Sequence, residues 1–208
     1  MDSKKLTTEE KIKLNLTLYD KCSSIYVEHV NDKLLQFQLA KFVSLLPRKG
    51  KVLDVGCSSG RDTSYLIEDS LEVIPIDFSD GMIIEAKKNN ITPMKLDIRN
   101  SEGLTSDFDG VWCMATFSDI PKEESSKVLV NINKILKPEG ILYIAVKYGE
   151  GEVIIEKELY NNLPRYYALY KKEELENLLN MNGFNIIEAI VSDDEGTKWV
   201  EIFAKKRL

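Results

Sequence analysis

A chain of 208 residues, 43% hydrophobic and 30% charged, is long enough to bury a full core within one domain. Its net charge of −6 sets 28 Lys and Arg against 34 Asp and Glu, so no nucleic-acid partner is expected. No apolar run approaches the roughly 20 residues that span a bilayer, and the charged start lacks the apolar centre of a signal peptide; no membrane partner and a cytoplasmic location are expected.

Residues 1–15 are polar and read as a loose start. Leu34, Leu35, Leu39, Phe42, Val43 and Leu46 recur at helical spacing, so residues 16–46 are expected to be helical, ended by Pro47 and Gly50. Short β-branched runs then alternate with amphipathic segments. They predict a strand at 51–55, a helix at 60–69, a strand at 71–76, and a helix at 79–89 with Ser79 as N-cap. A short strand at 93–96 and another at 110–114 follow. Residues 121–136 carry Val128, Leu129, Ile132, Ile135 and Leu136 on one stripe; Pro121 opens this helix, and Pro138 with Gly140 closes it.

Residues 141–146 form an apolar strand. The segment 149–170, rich in aromatics and charge, is expected to be a hairpin lid or else a solvated connection. A helix at 172–182 precedes strands at 185–191 and 198–204, joined by a turn over 192–197. No helix separates that last pair, so one of the two must run antiparallel. The class is therefore α/β, a mostly parallel sheet with helices on both faces. Pro75 conflicts with this scheme, because an interior strand loses a ladder bond at proline.

The chemistry concentrates where strands end. VLDVGCSSGRD (52–62) runs from an apolar strand into a turn of small residues and then a helix. Gly56 and Gly60 admit positive φ and close approach of a ligand. Only Gly56 matches G-x-G-x-x-G: Ser58 stands at the second glycine's place and Arg61 at the third's, which argues against a nicotinamide dinucleotide. Asp54 can attract a cation, and Arg61 with the helix start can hold a carboxylate. Asp77, ending the second strand, stands where an acidic side chain takes ribose hydroxyls, and Phe78 can lie against a flat base. Asp97, ending the third, can accept from an exocyclic amine beside Ile98. Cys22, Cys57 and Cys113 are too few for a disulfide framework or a zinc site, and no metal is expected.

Together VLDVGCSSGRDTSYL, VIPIDFSDGMIIEAK, MKLDI, FDGVW and ILKPEGILYIAVK resemble the successive motifs of class I S-adenosylmethionine-dependent methyltransferases. The closest resemblance is to the small-molecule group near tellurite-resistance and quinone-biosynthesis methylases, and it runs from residue 19 to 205. It implies a Rossmann-like sheet of seven strands in the order 3-2-1-4-5-7-6, strand 7 antiparallel. It implies residues 1–46 as a helical lid and 47–208 as the methyltransferase domain, with S-adenosyl-L-methionine as cofactor.

By position, Asp54, Gly56, Cys57, Ser58, Ser59 and Gly60 would line the methionine moiety. Asp77 would bind the ribose, Phe78 the adenine ring, and Asp97 with Ile98 the adenine amine. Met114, Ala115 and Thr116 would border the sulfonium. The family turn usually reads G-C-G-x-G; Ser58 replaces its middle glycine, and a positive φ there would cost about 1 kcal/mol.

His29, Asp119, Tyr19 and Tyr26 are the candidates for a catalytic group, although a good leaving thioether lets positioning carry much of the rate. His29 lies on the implied lid. Tyr19 and Tyr26, seven residues apart, share a helix face. Many relatives carry histidine where Asp119 stands, and Asp119 could instead cap the next helix. Tyr26, Lys147, Arg165, Tyr166 and Tyr167 are candidates to shape the substrate. The expected activity is methyl transfer to a small molecule whose identity stays open, as does the oligomeric state. The alternative is a non-catalytic module or partner subunit that binds the cofactor or S-adenosylhomocysteine.

Overall fold

The structure, a computed structural model, describes residues 6–30, 35–101, 103–194 and 196–208. Its elements in chain order are α1 (Thr8–Val30), α2 (Gln36–Ser44), β1 (Lys51–Val55), α3 (Arg61–Glu68), β2 (Glu72–Asp77), α4 (Asp80–Lys88), β3 (Met94–Lys95) and β4 (Phe108–Met114). The second half adds α5 (Lys122–Ile135), β5 (Leu136–Lys147), β6 (Glu152–Glu156), β7 (Pro164–Ala168), α6 (Lys172–Met181), β8 (Phe184–Asp194) and β9 (Thr197–Lys206).

Seven strands form one sheet in the order β3-β2-β1-β4-β5-β9-β8. Pairing is parallel from β3 through β5, and β9 runs antiparallel to both its neighbours. This is the expected α/β Rossmann-like order, with β8 and β9 as its sixth and seventh strands.

The side-chain alternation of each central strand feeds two cores. Leu53, Val111 and Leu142 face one cluster, completed by Val128, Leu129 and Ile132 of α5 and Leu175 and Leu179 of α6. Val52, Trp112 and Tyr143 face the other, with Leu39 and Phe42 of α2 and Leu66 of α3. Trp112 stacks on Tyr143 with ring centroids 4.0 Å apart.

The structure corrects the sequence reading in several places. Helix α1 begins at Thr8, where a loose start was expected. Its inward positions include Lys11 and Asn15, both buried, so half of its buried stripe is polar and carries no hydrophobic signal. Lys11 is enclosed by Glu123 and Glu152, each 2.9 Å away. The expected single helix over 16–46 is two, α1 and α2; Leu34 lies outside the described residues. Non-helical angles at Cys22 kink α1.

Chain α5 passes straight into β5, so Pro138 and Gly140 fall inside the strand; Glu139 takes φ 63° there. Strands β8 and β9 are longer than expected, and reach through Asp194 and from Thr197 into the segment expected to be their turn. The segment after β5 does form a hairpin, β6 with β7.

Pro75 sits within β2, opposite Asp54 of β1, without cost to that ladder. Bonds to the β1 side run through Glu72 N to Gly50 O and from Gly56 N to Ile76 O, so even-numbered residues of β2 face β1. Pro75 therefore faces β3, whose pairing starts only at Ile76 with Met94. One step back along that register would set Pro75 opposite Pro93, and neither has an N–H to give.

Candidate functional site

Asp54 is 2% exposed near the end of β1. Thr63 Oγ1 of α3 donates to its Oδ2. Burial, reinforced by the nearby Asp62 charge, pushes the Asp54 carboxyl up to about 7, against the pull of Thr63. Asp62 is held in turn by Trp112 Nε1 at 2.9 Å and Arg61 Nε at 2.7 Å. Arg61 also donates to the Val30 carbonyl at 2.8 Å, fastening the end of α1 to the start of α3.

The turn after β1 is bare by necessity. Gly56 has φ +72°, and a Cβ there would lie 2.1 Å from Thr116 Oγ1. Ser58 takes φ 51°, the left-handed conformation its position demands, and its N–H donates to Asp77 Oδ2 at 3.0 Å. Asp77 Oδ1 accepts from Ser79 N at 2.9 Å. Burial raises the Asp77 carboxyl, and these backbone donors oppose the rise. Asp97 lies two residues beyond the end of β3, where the sequence put it at the strand's end, and is less free than expected: both its oxygens accept from Arg99.

These residues share one hollow of about 510 Å³. Its wall contains Asp54, Gly56, Cys57, Ser58, Ser59, Arg61, Asp77, Phe78, Asp97, Ile98, Met114, Ala115 and Thr116. Tyr19, Tyr26, His29, Asp119, Lys147, Arg165 and Tyr167 border it as well. Gly60 does not; it lies beneath the turn, and a Cβ there would strike Ile91 at 2.6 Å. Nor does Tyr166. Alternation along β7 turns it away from Arg165 and Tyr167, so that its hydroxyl donates to Glu152 at 2.6 Å. Burial pushes the Cys57 thiol up strongly and the Cys113 thiol up to about 12, so both stay protonated near neutrality.

Helix α1 closes one side of the hollow. Tyr19 Oη donates to Asp119 Oδ2 at 2.5 Å, and Asn15 Nδ2 donates to Asp119 Oδ1 at 3.0 Å. Arg165 Nη2 donates to the Tyr19 oxygen and lies 3.3 Å from Asp119. Asp119 thus binds α1 to β7 and does not cap α5, which begins after Pro121 without a side-chain cap. Tyr19 and Tyr26 meet edge to face, ring centroids 5.2 Å apart, as their shared face requires. His29 is exposed at the rim.

The sequence reading missed Asn15, Asp62, Trp199 and Glu201 on this wall. Asn15 lay in the supposed loose start. Asp62 lies two residues after Gly60, directly before Asp54's partner Thr63, and was legible there as an acid in the first turn of α3. Trp199 and Glu201 alternate inward from β9 and carry no local signal.

Residues 52–140 match a family profile described as methyltransferase domain. A ubiquinone biosynthesis O-methyltransferase of Coxiella burnetii is 28% identical over 162 residues, 74% of this chain and 62% of that protein. The 1,6-didemethyltoxoflavin-N1-methyltransferase of Burkholderia thailandensis, solved with S-adenosylhomocysteine, superposes with TM-score 0.70 at 18% identity, over 100% of this chain and 94% of that one. The [4+2]-cyclase SpnF superposes with TM-score 0.72 at 13% identity, over 92% of this chain and 94% of its own. The chain spans about half the length of the first curated relatives it matches, 55% and 42% for two of them. In its motifs, its methyltransferase-domain region and its sheet order, this chain resembles the class I S-adenosylmethionine-dependent methyltransferases.

Proposed function

We propose that the chain binds S-adenosyl-L-methionine and transfers its methyl group to a small-molecule acceptor by direct displacement. The observation that carries this reading is the convergence of Asp54, Asp77 and Asp97, from three adjacent strand ends, on one hollow floored by the Gly56 turn. The fit is physical. The space a Cβ at Gly56 would fill is already taken by Thr116, so the turn can only be bare backbone, open to close approach. Asp77 keeps lone pairs beyond its two backbone donors for ribose hydroxyls.

In this reading Asp54 and Asp62 face the cofactor's positive end, Phe78 lies along the base, and Thr116 stands beside the reacting centre. S-adenosylmethionine supplies a methyl group on a sulfonium and leaves as a neutral thioether. The chain's part is to orient the acceptor and exclude water, which α1, with Tyr19 and Tyr26, is placed to do. Orientation alone can supply about 7–11 kcal/mol.

Methyl-labelled cofactor incubated with the protein and a metabolite extract tests the reaction: one small molecule gains the label. Binding of S-adenosylhomocysteine with no label transferred to any component would leave only a binding module. Asp77→Ala should weaken cofactor affinity about 10- to 100-fold, equivalent to about 1–3 kcal/mol. Unchanged affinity would remove Asp77 from the site.

A further inference from the structure

The wall beyond Thr116 is made of Tyr19, Tyr26, Lys147, Arg165, Tyr167 and Trp199. Arg165 is 7% exposed. Its guanidinium carbon lies 4.4 Å from the ring centroid of Tyr167, 4.8 Å from that of Tyr19 and 5.2 Å from that of Tyr26. Among the described residues its hydrogen bonds all run from Nη2, to Tyr19 and Asp119. Its Nε is buried and has no partner. A guanidinium carries five N–H donors, and a buried donor left unpaired is costly.

Among the described residues no carboxylate accepts from the remaining Arg165 donors. Asp119 already accepts from Tyr19 and Asn15. Glu201 accepts from Tyr143 and Ser192. Asp193 accepts from Gly196 N. A second cation borders the same space: Lys147 Nζ lies 5.2 Å from the Tyr167 centroid and 4.7 Å from that of Trp199. A neutral ligand would leave the guanidinium donors unmatched. An oxyanion matches the fork, and the aromatic walls suit a flat frame attached to it.

We propose that the methyl acceptor is a carboxylate carried on a planar conjugated frame, docked on Arg165; this rests on the methyltransferase reading above. The test is calorimetric titration of the protein saturated with S-adenosylhomocysteine. The probes are benzoate, cinnamate and naphthoate, each beside its own carboxamide. At least one carboxylate should bind tenfold or more tightly than its carboxamide. That preference should fall below threefold in Arg165→Met, and should also shrink in Arg165→Lys, which keeps the charge and loses the fork. Equal binding of carboxylates and carboxamides, or binding of neither while S-adenosylhomocysteine binds normally, overturns the proposal. Failure of the wild-type protein to bind S-adenosylhomocysteine defeats the methyltransferase reading itself.

Discussion

Gly81 of α4 lies directly under the backbone of Tyr19 in α1: a Cβ at Gly81 would come 2.6 Å from the Tyr19 carbonyl oxygen and 2.8 Å from Asp20 Cα. The same contact is drawn tight by Asp20, whose Oδ1 accepts from Ser79 Oγ at 2.6 Å and Gly81 N at 3.1 Å at the positive end of α4. Gly81→Ala should therefore push α1 outward while leaving the sheet intact. We expect about 1–3 kcal/mol of destabilisation by thermal or denaturant unfolding, with α1 becoming the first site cut in limited proteolysis. Wild-type stability and an unchanged cleavage pattern would contradict the packing.

The Asp54 carboxyl gives the site a pH dependence. Its folded value, about 7, lies above the ordinary carboxylate range because burial and Asp62 disfavour its charge. Between about pH 4 and 7 the folded protein thus holds a proton that the unfolded chain has lost, so this group's contribution to stability falls as pH rises through that window. Attraction for a cationic ligand behaves oppositely. Cofactor affinity should rise from pH 6 to 8, and binding at pH 6.5 should release protons, read as a buffer-dependent calorimetric enthalpy. Asp54→Asn should flatten both profiles; an unaltered profile would remove Asp54 as the titrating group.

Gly56 and Thr116 should behave as a coupled pair. Gly56→Ala adds a Cβ into the Thr116 hydroxyl and forces alanine to φ +72°. A loss of about 1–3 kcal/mol and of measurable cofactor binding is expected. Thr116→Ala removes the hydroxyl and should recover part of the stability lost, leaving the backbone strain. Simple additivity of the two single changes would show that the clash is not what matters.

Lys11 links three elements. Its ammonium meets Glu123 of α5 and Glu152 of β6, and lies 5.5 Å from the Tyr166 centroid of β7. Lys11→Met should cost about 1–3 kcal/mol, because Glu152 loses a charged partner in a half-buried setting. It should also loosen the β6–β7 hairpin, seen as faster amide exchange at Val153 and Tyr167, which pair across it. No change in either quantity would mean that the ion pairs are passive.

The sheet was legible because its central strands are apolar runs of the right length between amphipathic helices, and because 192–197 had no room for a crossover helix. The strand-end carboxylates were legible for the same reason, since strand ends could be read. What escaped was held by long-range polar contacts. Asn15 is inward-facing only because Asp119 and Tyr166, over a hundred residues away, receive it. Pro75 looked misplaced because the sequence does not say which of two neighbours a strand residue bonds. Tyr166 and Arg165 looked equivalent in RYY until β7's register sent them to opposite sides.

The two prolines flanking the β2–β3 register have an effect outside the fold. The edge strand β3 is only two residues long, and Pro75 and Pro93 prevent it from zipping farther back. This margin offers another chain too short a row of amides to align against, so the sheet is kept from growing past its β3 side.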